Sequence, residues 1–489
     1  MTSTSTIPSG KRIFVNRTLN MNHIKLIGFD MDYTVVTYNV PEFENLAYKL
    51  MQEKLVSERG FPEEILQFKF DPEFIIRGLV IDTEHGNILK VNCFGYVKKV
   101  AHGTRFLSVD EGKKLYPVSS IDLNDPRYYI VHTLFSLAEG YLFAQMVDFF
   151  NKENIPVNFR KVFNDVRETL DQVHQEGKLK GAVTEHPEKY LQKTPETVEA
   201  LKRLKKSGKK LALITNSDYD YSKKVMDYCF TPFLNSPWQD LFDLIVVVSN
   251  KPLFFQARNK FLKVDRETGA LSNHYEPVRY GNIYQGGNAK YLQKNLSLNP
   301  SEILYLGDHL YGDVVTLKES LGWRTGLVIQ ELETEVPGLE KNSELMKNIS
   351  LKMAEKEQIE DELCLQKEKY LETLSSASEG ETENYHKIRD ELRSRIEKID
   401  LSLQDYIMQM QKKFNPRWGE VMRAGNEESR LATLVEMYAC VYMSSVGNLQ
   451  YYSPLKYFRP PRRLLAHDPN PDDYVGHGTP EDIFEIQRS

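Results

Sequence analysis

The stretch IGFDMDYTVVTY, Ile27 to Tyr38, sets two carboxylates, Asp30 and Asp32, two positions apart at the end of an apolar run. That run, IKLIGF from Ile24 to Phe29, is too continuous for a strand with one wet face, and it predicts a buried parallel strand that stops at Asp30. Three later runs share the pattern: KLALITNSD (210–218), DLIVVVSNKP (243–252) and EILYLGDHLYGD (302–313). A fifth, RTGLVIQEL (324–332), follows them. Helix-like segments lie between, such as TPETVEALKRLKKSG (194–208), with Pro195 near its start and Gly208 just past its end. Strands alternating with helices predict an α/β fold whose parallel sheet is covered on both faces.

About 170 residues separate the first strand from the second, far more than one crossover connection needs. They predict an inserted, mixed α+β cap. Within it GLVIDTEHGNILKVNCFGYVKKV (78–100) reads as a β-hairpin with a glycine-containing turn, and LAEGYLFAQMVDFFNKE and VFNDVRETLDQVHQEG read as amphipathic helices. From Leu339 to Lys413 the composition shifts to Glu, Lys, Leu and Gln. Tyr385, Ile388, Leu392, Ile396, Ile399, Leu403, Ile407 and Met410 recur at three- and four-residue intervals there. Leu345, Ile349, Met353, Ile359, Leu363 and Tyr370 form a looser seam on the preceding arm. With SSASEGET (375–382) as the turn, this is a helical hairpin, either two solvated helices packed on each other or a contact between copies of the chain. The chain thus divides into an N-terminal segment with the first core strand (1–40), the cap (41–185), the core (186–338), the coiled-coil-like hairpin (339–413), a return to the core (414–458), read as helical, and a surface tail (459–489).

With 489 residues, 41% of them hydrophobic, and a formal net charge of −6, this is an ordinary globular composition of several units, with no basic surplus that asks for nucleic acid. No window resembles a signal peptide or a membrane span. Four cysteines, Cys93, Cys229, Cys364 and Cys440, lie far apart without a C-x-x-C spacing, which fits a reducing, cytoplasmic setting and no zinc site.

Polar groups stand at the ends of four strands: Asp30 with Asp32, Thr215 with Asn216, Lys251, and Asp308 with Asp313. Ligands of open α/β sheets bind outside the carboxyl ends of the strands, so these groups converge if the strands are neighbours. Each also has an ordinary explanation: a turn or helix cap for the Asp pairs and for Thr215–Asn216, a surface charge for Lys251. Together they suit phosphoryl transfer. Asp30 and Asp308 would form a hard-cation site for Mg²⁺, Asp30 would attack phosphorus, and Asp32 would move the proton. Lys251 and Thr215 would neutralise and position the phosphate.

DMDYT (30–34), TNSD (215–218), the Lys251 of NKPLFF and GDHLYGD (307–313) resemble the four signature motifs of the haloacid dehalogenase-like (HAD) phosphohydrolases. FVNRTLNMNHIKLIGFDMDYTVVTY, RGLVIDTEHGNILKV, DVRETLDQVHQEGKLK, TNSDYDYSKKVMDY, YQGGN and GWRT resemble, in order, segments of the cytosolic purine 5′-nucleotidases of the IMP/GMP-preferring type. The resemblance implies a Rossmann-like core with a large cap. It also implies Mg²⁺-dependent hydrolysis of 6-oxopurine nucleoside monophosphates through a phospho-aspartate, with transfer to a nucleoside open to the same intermediate. By resemblance Asp30 is the nucleophile and Asp32 the acid/base. Asp30, the backbone carbonyl of Asp32 and Asp308 bind Mg²⁺ with Asp313 in support, and Thr215, Asn216 and Lys251 hold the phosphate. Arg167, Asp171, His174 and Lys180 contact the nucleotide, and Phe135 stacks on the base. Arg167, Asp171 and His174, at i, i+4 and i+7, would share one helix face, which spacing alone reads as a solvated charged face. His132 and Ser136 stand where the family tends to have Asn, and Gln175 where it has Tyr. A homo-oligomer is expected, with no nucleic-acid or membrane partner. Two alternatives to the nucleotidase are a related phosphatase for another phosphomonoester and a non-catalytic protein that recruits partners through the hairpin.

Overall fold

The computed structural model describes residues 7–117, 120–373, 378–411, 413–462 and 465. Leu26–Phe29 is buried at every position and lies in the interior of a ten-stranded sheet. From one edge the order is Ile13–Val15, Val441–Met443, Arg324–Val328, Ile303–Gly307, Leu26–Phe29, Lys210–Ile214, Leu244–Val247, Asn282–Gly286, Phe261–Val264 and Leu271–Asn273. The seven strands from Val441–Met443 to Asn282–Gly286 run parallel, and each of the outer three pairs antiparallel with the strand inside it. Side chains alternate across the pleat: Ile27 and Phe29 pack into one core layer with Leu201 and Val225, while Leu26 packs on the other face with Phe254, Leu317 and Trp323. Continuous apolar strands are what a sheet covered on both faces requires.

The four strands expected to carry the site are consecutive neighbours, so their carboxyl ends line up along one edge. The helix expected over 194–208 is present as Pro195–Lys206, with Gly208 at φ +87°. Val441–Met443 corrects the helical reading of the return segment: the helix Arg430–Tyr438 stops there, and a three-residue strand adds to Gly326–Val328. So short a strand has no period of its own, and only its pairing fixes it. The antiparallel edge strands carry no signal stronger than ordinary loop sequence either.

Residues 40–185 form helices packed beside a separate five-stranded antiparallel sheet. The hairpin expected over 78–100 comprises Val80–Asp82 and Asn87–Val91, and a second hairpin joins Asn87–Val91 to Val97–His102. The long helices Ser343–Thr373 and Glu379–Gln411 pack on each other through Ile359, Leu392, Ile399 and Leu403. Tyr370 stacks on Tyr385 at 4.1 Å, which fixes their antiparallel sense. Met353 and Ile407, assigned by spacing to the seam, are both 41% exposed. The composition break at Leu339 falls inside another helix, Leu332–Lys341, which is anchored to the core where the Glu335 carboxylate accepts the Val421 (2.7 Å) and Met422 (3.2 Å) N–H groups. Part of the expected turn (374–377) and most of the tail lie outside the described residues.

Asp82 pins the cap sheet. Burial pushes its carboxyl up, but hydrogen bonds from Arg127 (Nε at 2.8 Å, and Nη2) and from the Tyr116 hydroxyl outweigh this and hold it below the usual carboxylate range. A depressed folded-state pKa stabilises the fold above the unfolded value of about 3.9, and the contribution is lost as pH falls through the folded value. Asp82→Asn is expected to cost about 2 kcal/mol at pH 7. Urea unfolding at several pH values should show that gap narrowing below about pH 4.

Candidate active site

Asp30 leaves its strand with its N–H on the Leu306 carbonyl at 2.9 Å. Its Oδ1 accepts the Met31 N–H (2.7 Å) and pairs with Lys251 Nζ (2.8 Å). The same ammonium pairs with Asp313 Oδ1 at 2.8 Å and donates to the Tyr305 hydroxyl at 3.0 Å, which in turn donates to the Ile214 carbonyl at 3.0 Å. The Lys251 side chain is only 4% exposed, so it is no surface charge. Asp30, Asp308 and Asp313 each offer an oxygen within 4.8 Å of the others. Asp313, expected only in support, is an equal member of this group.

Two glycines make the cluster possible. Gly28 faces Tyr305 across the parallel pair, and a Cβ there would lie 2.7 Å from the ring. A Cβ on Gly307 would lie 2.3 Å from Asp313 Oδ2. The loop after Gly307 continues into a wide helical turn, Leu310–Val315, and the His309 N–H donates to Asp313 Oδ2 at 3.2 Å.

Burial pushes Asp30 up to about 6; Lys251 opposes the rise and Asp313 adds to it. Asp308 is driven well above the carboxylate range by burial, then by Asp30 and Asp313. Burial would lower Lys251, but Asp30 and Asp313 overcome it and keep the ammonium charged. Three buried carboxylates around one contacting ammonium leave an excess of negative charge, and a divalent hard cation on their oxygen donors fits that excess.

Asp32 has a different setting. It is half-buried and accepts from Tyr38 Oη at 2.5 Å and Ser217 Oγ at 2.8 Å. Burial and then the Asp30 charge raise it to about 6, against those hydroxyls, so its proton is exchangeable near neutrality. Thr215 is fully buried, and its Oγ1 accepts the Ser217 N–H at 3.1 Å. Asn216, expected to hold phosphate, lines the cleft, and its side chain is engaged in the neighbouring loop. Its Nδ2 donates to the Lys251 carbonyl (3.1 Å), and its Oδ1 accepts from Ser249 Oγ (2.9 Å) and the Lys251 N–H (2.6 Å), so the amide shapes the Lys251 loop. That loop holds Val248 at φ +45° and Asn250 at φ +58°, conformations that a β-branched residue rarely adopts and that cluster at functional sites.

Above these groups opens a cleft of about 910 Å³, with Asp32, Asn216 and Ser217 in its lining. Its cap wall carries Phe135, Arg167, Asp171, His174 and Lys180. The helix Phe159–Gln175 presents Arg167, Asp171 and His174 together, so their shared face lines the cleft and is not simply solvated. Phe135 packs edge-on against Tyr33 (4.6 Å) and His174 (5.4 Å). The Arg167 guanidinium lies 4.4 Å over the Tyr129 ring. Lys180 pairs with Asp218 at 2.7 Å. Burial, then Lys180, lowers His174 to about 4, which leaves its imidazole neutral. Sequence reasoning missed Tyr38, Thr133, Ser217, Tyr305 and Arg77. Only Ser217, inside the TNSD stretch, carried a local signal.

The sequence model of the 5′ nucleotidase family matches residues 13–470. The chain belongs to the 5′-nucleotidase family. A 5′-nucleotidase domain-containing protein from Dictyostelium discoideum is 30% identical over 476 residues, 93% of this chain and 74% of that protein. Among solved structures, a haloacid dehalogenase-like family hydrolase from Xanthomonas campestris has a TM-score of 0.25 at 13% identity, over 62% of this chain and 82% of its own. An archaeal β-phosphoglucomutase from Pyrococcus sp. strain ST 04 has a TM-score of 0.29 at 12% identity, over 62% and 86%. Likeness at that level says nothing about activity. The nucleotidase is a phosphoric monoester hydrolase built on a mixed α/β core with a large parallel sheet. No helix among the described residues is long and apolar enough to cross a membrane.

Because Gly307 leaves no room for a side chain beside Asp313, Gly307→Ala should displace that carboxylate and loosen Lys251. The expected outcome is a loss of at least about 100-fold in kcat/KM for phosphate release, beyond what the residual folded fraction explains. Circular dichroism alongside steady-state kinetics separates the two.

Proposed function

We propose that this nucleotidase hydrolyses 6-oxopurine nucleoside 5′-monophosphates of the IMP/GMP type through a phospho-aspartate on Asp30, with Mg²⁺ as cofactor. The observation that carries the reading is the convergence of Asp30, Asp308, Asp313 and Lys251 beneath a cleft whose floor presents Asp32 and whose wall presents Phe135. Mg²⁺ held by Asp30, Asp308, Asp313 and the Asp32 carbonyl would supply charge for the phosphate oxygens and keep Asp30 ionised.

In the first step an Asp30 carboxylate oxygen attacks phosphorus, the bond from phosphorus to O5′ breaks, and Asp32 gives its proton to O5′ as the nucleoside leaves. In the second, Asp32 removes a proton from water, the oxygen attacks phosphorus, and the bond to Asp30 breaks to release phosphate. A nucleoside hydroxyl in place of that water gives phosphotransfer. Lys251 and the Thr215 Oγ1, with backbone from Asn216, orient the phosphoryl oxygens. Phe135 stacks on the base, while Arg167 donates to the 6-oxo group and Asp171 accepts from a ring N–H. Neutral His174 and Lys180 complete the nucleotide contacts. Adenine presents an amine where this edge wants an acceptor, and such a mismatch leaves buried polar groups unpaired. Because His132, Ser136 and Gln175 replace the family's usual residues, ranking among oxopurines follows from this chain's own cleft. The hairpin is read as a contact between copies of the chain, in a homo-oligomer in the cytoplasm.

Phosphate release from a panel of nucleoside monophosphates, with and without Mg²⁺, tests the reading. IMP and GMP should lead AMP by at least about tenfold in kcat/KM. Chelation should abolish turnover, and Asp30→Asn should lower kcat by at least about 1000-fold. Release favouring a non-nucleotide phosphomonoester would shift the substrate class. Replacing residues 343–411 with a short Gly/Ser linker should lower the oligomeric mass and preserve turnover. Undetectable turnover by the intact chain would favour the recruiting role.

A further inference from the structure

Arg77 is the largest buried cation whose role the chemistry above does not use. It sits just before the first strand of the cap sheet, yet its side chain, 2% exposed, reaches out of the cap into the core. Nε donates to Glu331 Oε1 at 2.7 Å, Nη2 donates to Glu331 Oε2, and Nη1 donates to the backbone carbonyl of Asp308 at 3.3 Å. Glu331 itself stands just past the strand next to that of Asp308. A second cap residue approaches the same aspartate at its carboxylate: Thr133 Oγ1 lies 3.5 Å from Asp308 Oδ2, at the outer limit of hydrogen bonding. The two cap segments are tied together, since the Gly78 N–H donates to the Val131 carbonyl (2.8 Å) and the Val131 N–H to the Leu79 carbonyl (2.9 Å).

We infer that Arg77 is a positioning residue for the metal-binding carboxylate Asp308, with Thr133 as a weaker second support, so that the base of the cap sets the geometry of the cation site. The inference rests on the Mg²⁺ reading above. A buried ion pair is seldom worth more to stability than well-packed apolar side chains of the same volume. The fork geometry of guanidinium instead gives direction: Glu331 fixes its plane, and the remaining donor is then aimed at the Asp308 carbonyl. Holding the carbonyl fixes the peptide from which the carboxylate hangs, while Thr133 limits its rotation. Partners of this kind outside the ligand shell commonly govern metal affinity by 10–100-fold.

The test is calorimetric titration of Mg²⁺ into the metal-free full-length chain. The double variant Arg77→Met with Glu331→Gln removes the guanidinium together with the charge it would leave unpaired, so a lone buried carboxylate does not penalise folding. Its Kd for Mg²⁺ should rise 10–100-fold, with kcat recovering toward the wild-type value at saturating Mg²⁺. Thr133→Val, which keeps shape and removes the hydroxyl, should raise Kd about threefold and serves if the double variant is poorly folded. A purely structural role would lower the melting temperature and leave Kd unmoved. Wild-type affinity in the double variant, or in Thr133→Val should the double variant not fold, overturns the inference alone. Failure of the wild-type chain to bind Mg²⁺ overturns the metal reading and this inference with it.

Discussion

The buried ammonium of Lys251 is the charge around which the rest of the site is arranged. It sits 2.8 Å from both Asp30 and Asp313, on carboxylates from two different strand ends, and is fixed from behind by Tyr305. Without it two carboxylates would face each other in a medium that does not screen them, a situation that costs about 3–5 kcal/mol when one partner of a buried pair is removed. The surroundings are shaped to this contact. Tyr305 can reach Lys251 only because its neighbour across the sheet is Gly28, and the Asn216 amide holds the Lys251 backbone on both sides. The positive φ angles of Val248 and Asn250 persist in the same loop, where hydrogen bonds over-determine the backbone.

The parallel core was legible because its strands are buried on both faces and therefore read as unbroken apolar runs that stop at polar residues. Their adjacency was the missing piece. No run states its neighbour, and convergence of Asp30, Thr215, Lys251 and Asp308 depended on an order that pairing alone decides. Elements with weak local signals were lost for the same reason: Val441–Met443 and Ile13–Val15 exist as strands only through each other and through Arg324–Val328. In the site, sequence spacing supplied the charged groups and missed the residues that hold them. Tyr305 and Arg77 are separated from their partners by other elements, and even Tyr38, in the same stretch as Asp32, shows that a tyrosine or arginine in an apolar segment carries no mark of the carboxylate or ammonium it will meet. Asn216 shows the converse. Its position at a strand end was read directly, but the hydrogen bonds by which its amide braces the Lys251 loop were not.

Insertion of the cap between the first two core strands has a physical consequence beyond covering the cleft. Both chain segments that enter the cap sheet, around Arg77 and around Thr133, pass beside Asp308, so the cap cannot be displaced without disturbing groups on that loop. The cleft wall and the carboxylate cluster are thus two ends of one connected body: Phe135 and Ser136 come just after Thr133 and Leu134 in sequence and line the cleft. A base held by that wall and a phosphate held below it would be registered against each other by four residues of backbone.

The D-x-D stretch shows how identical side chains acquire different chemistry. In a continuing strand Asp30 and Asp32 would point to the same face, but the strand ends at Phe29, and Tyr33 at φ +55° turns the chain. Asp30 is left beside an ammonium and two acids, an ionic environment in which its charge is stabilised by Lys251. Asp32 is left beside two neutral hydroxyls, at the edge of the cleft, with the Asp30 charge pushing its own proton on. Burial pushes both up to about 6, so the difference between them lies in their contacts: an ammonium on Asp30, two neutral hydroxyls on Asp32. Separation of roles between two like groups follows from the partners each is given, and those partners come from opposite sides: Lys251 and Asp313 for the first, Tyr38 and Ser217 for the second.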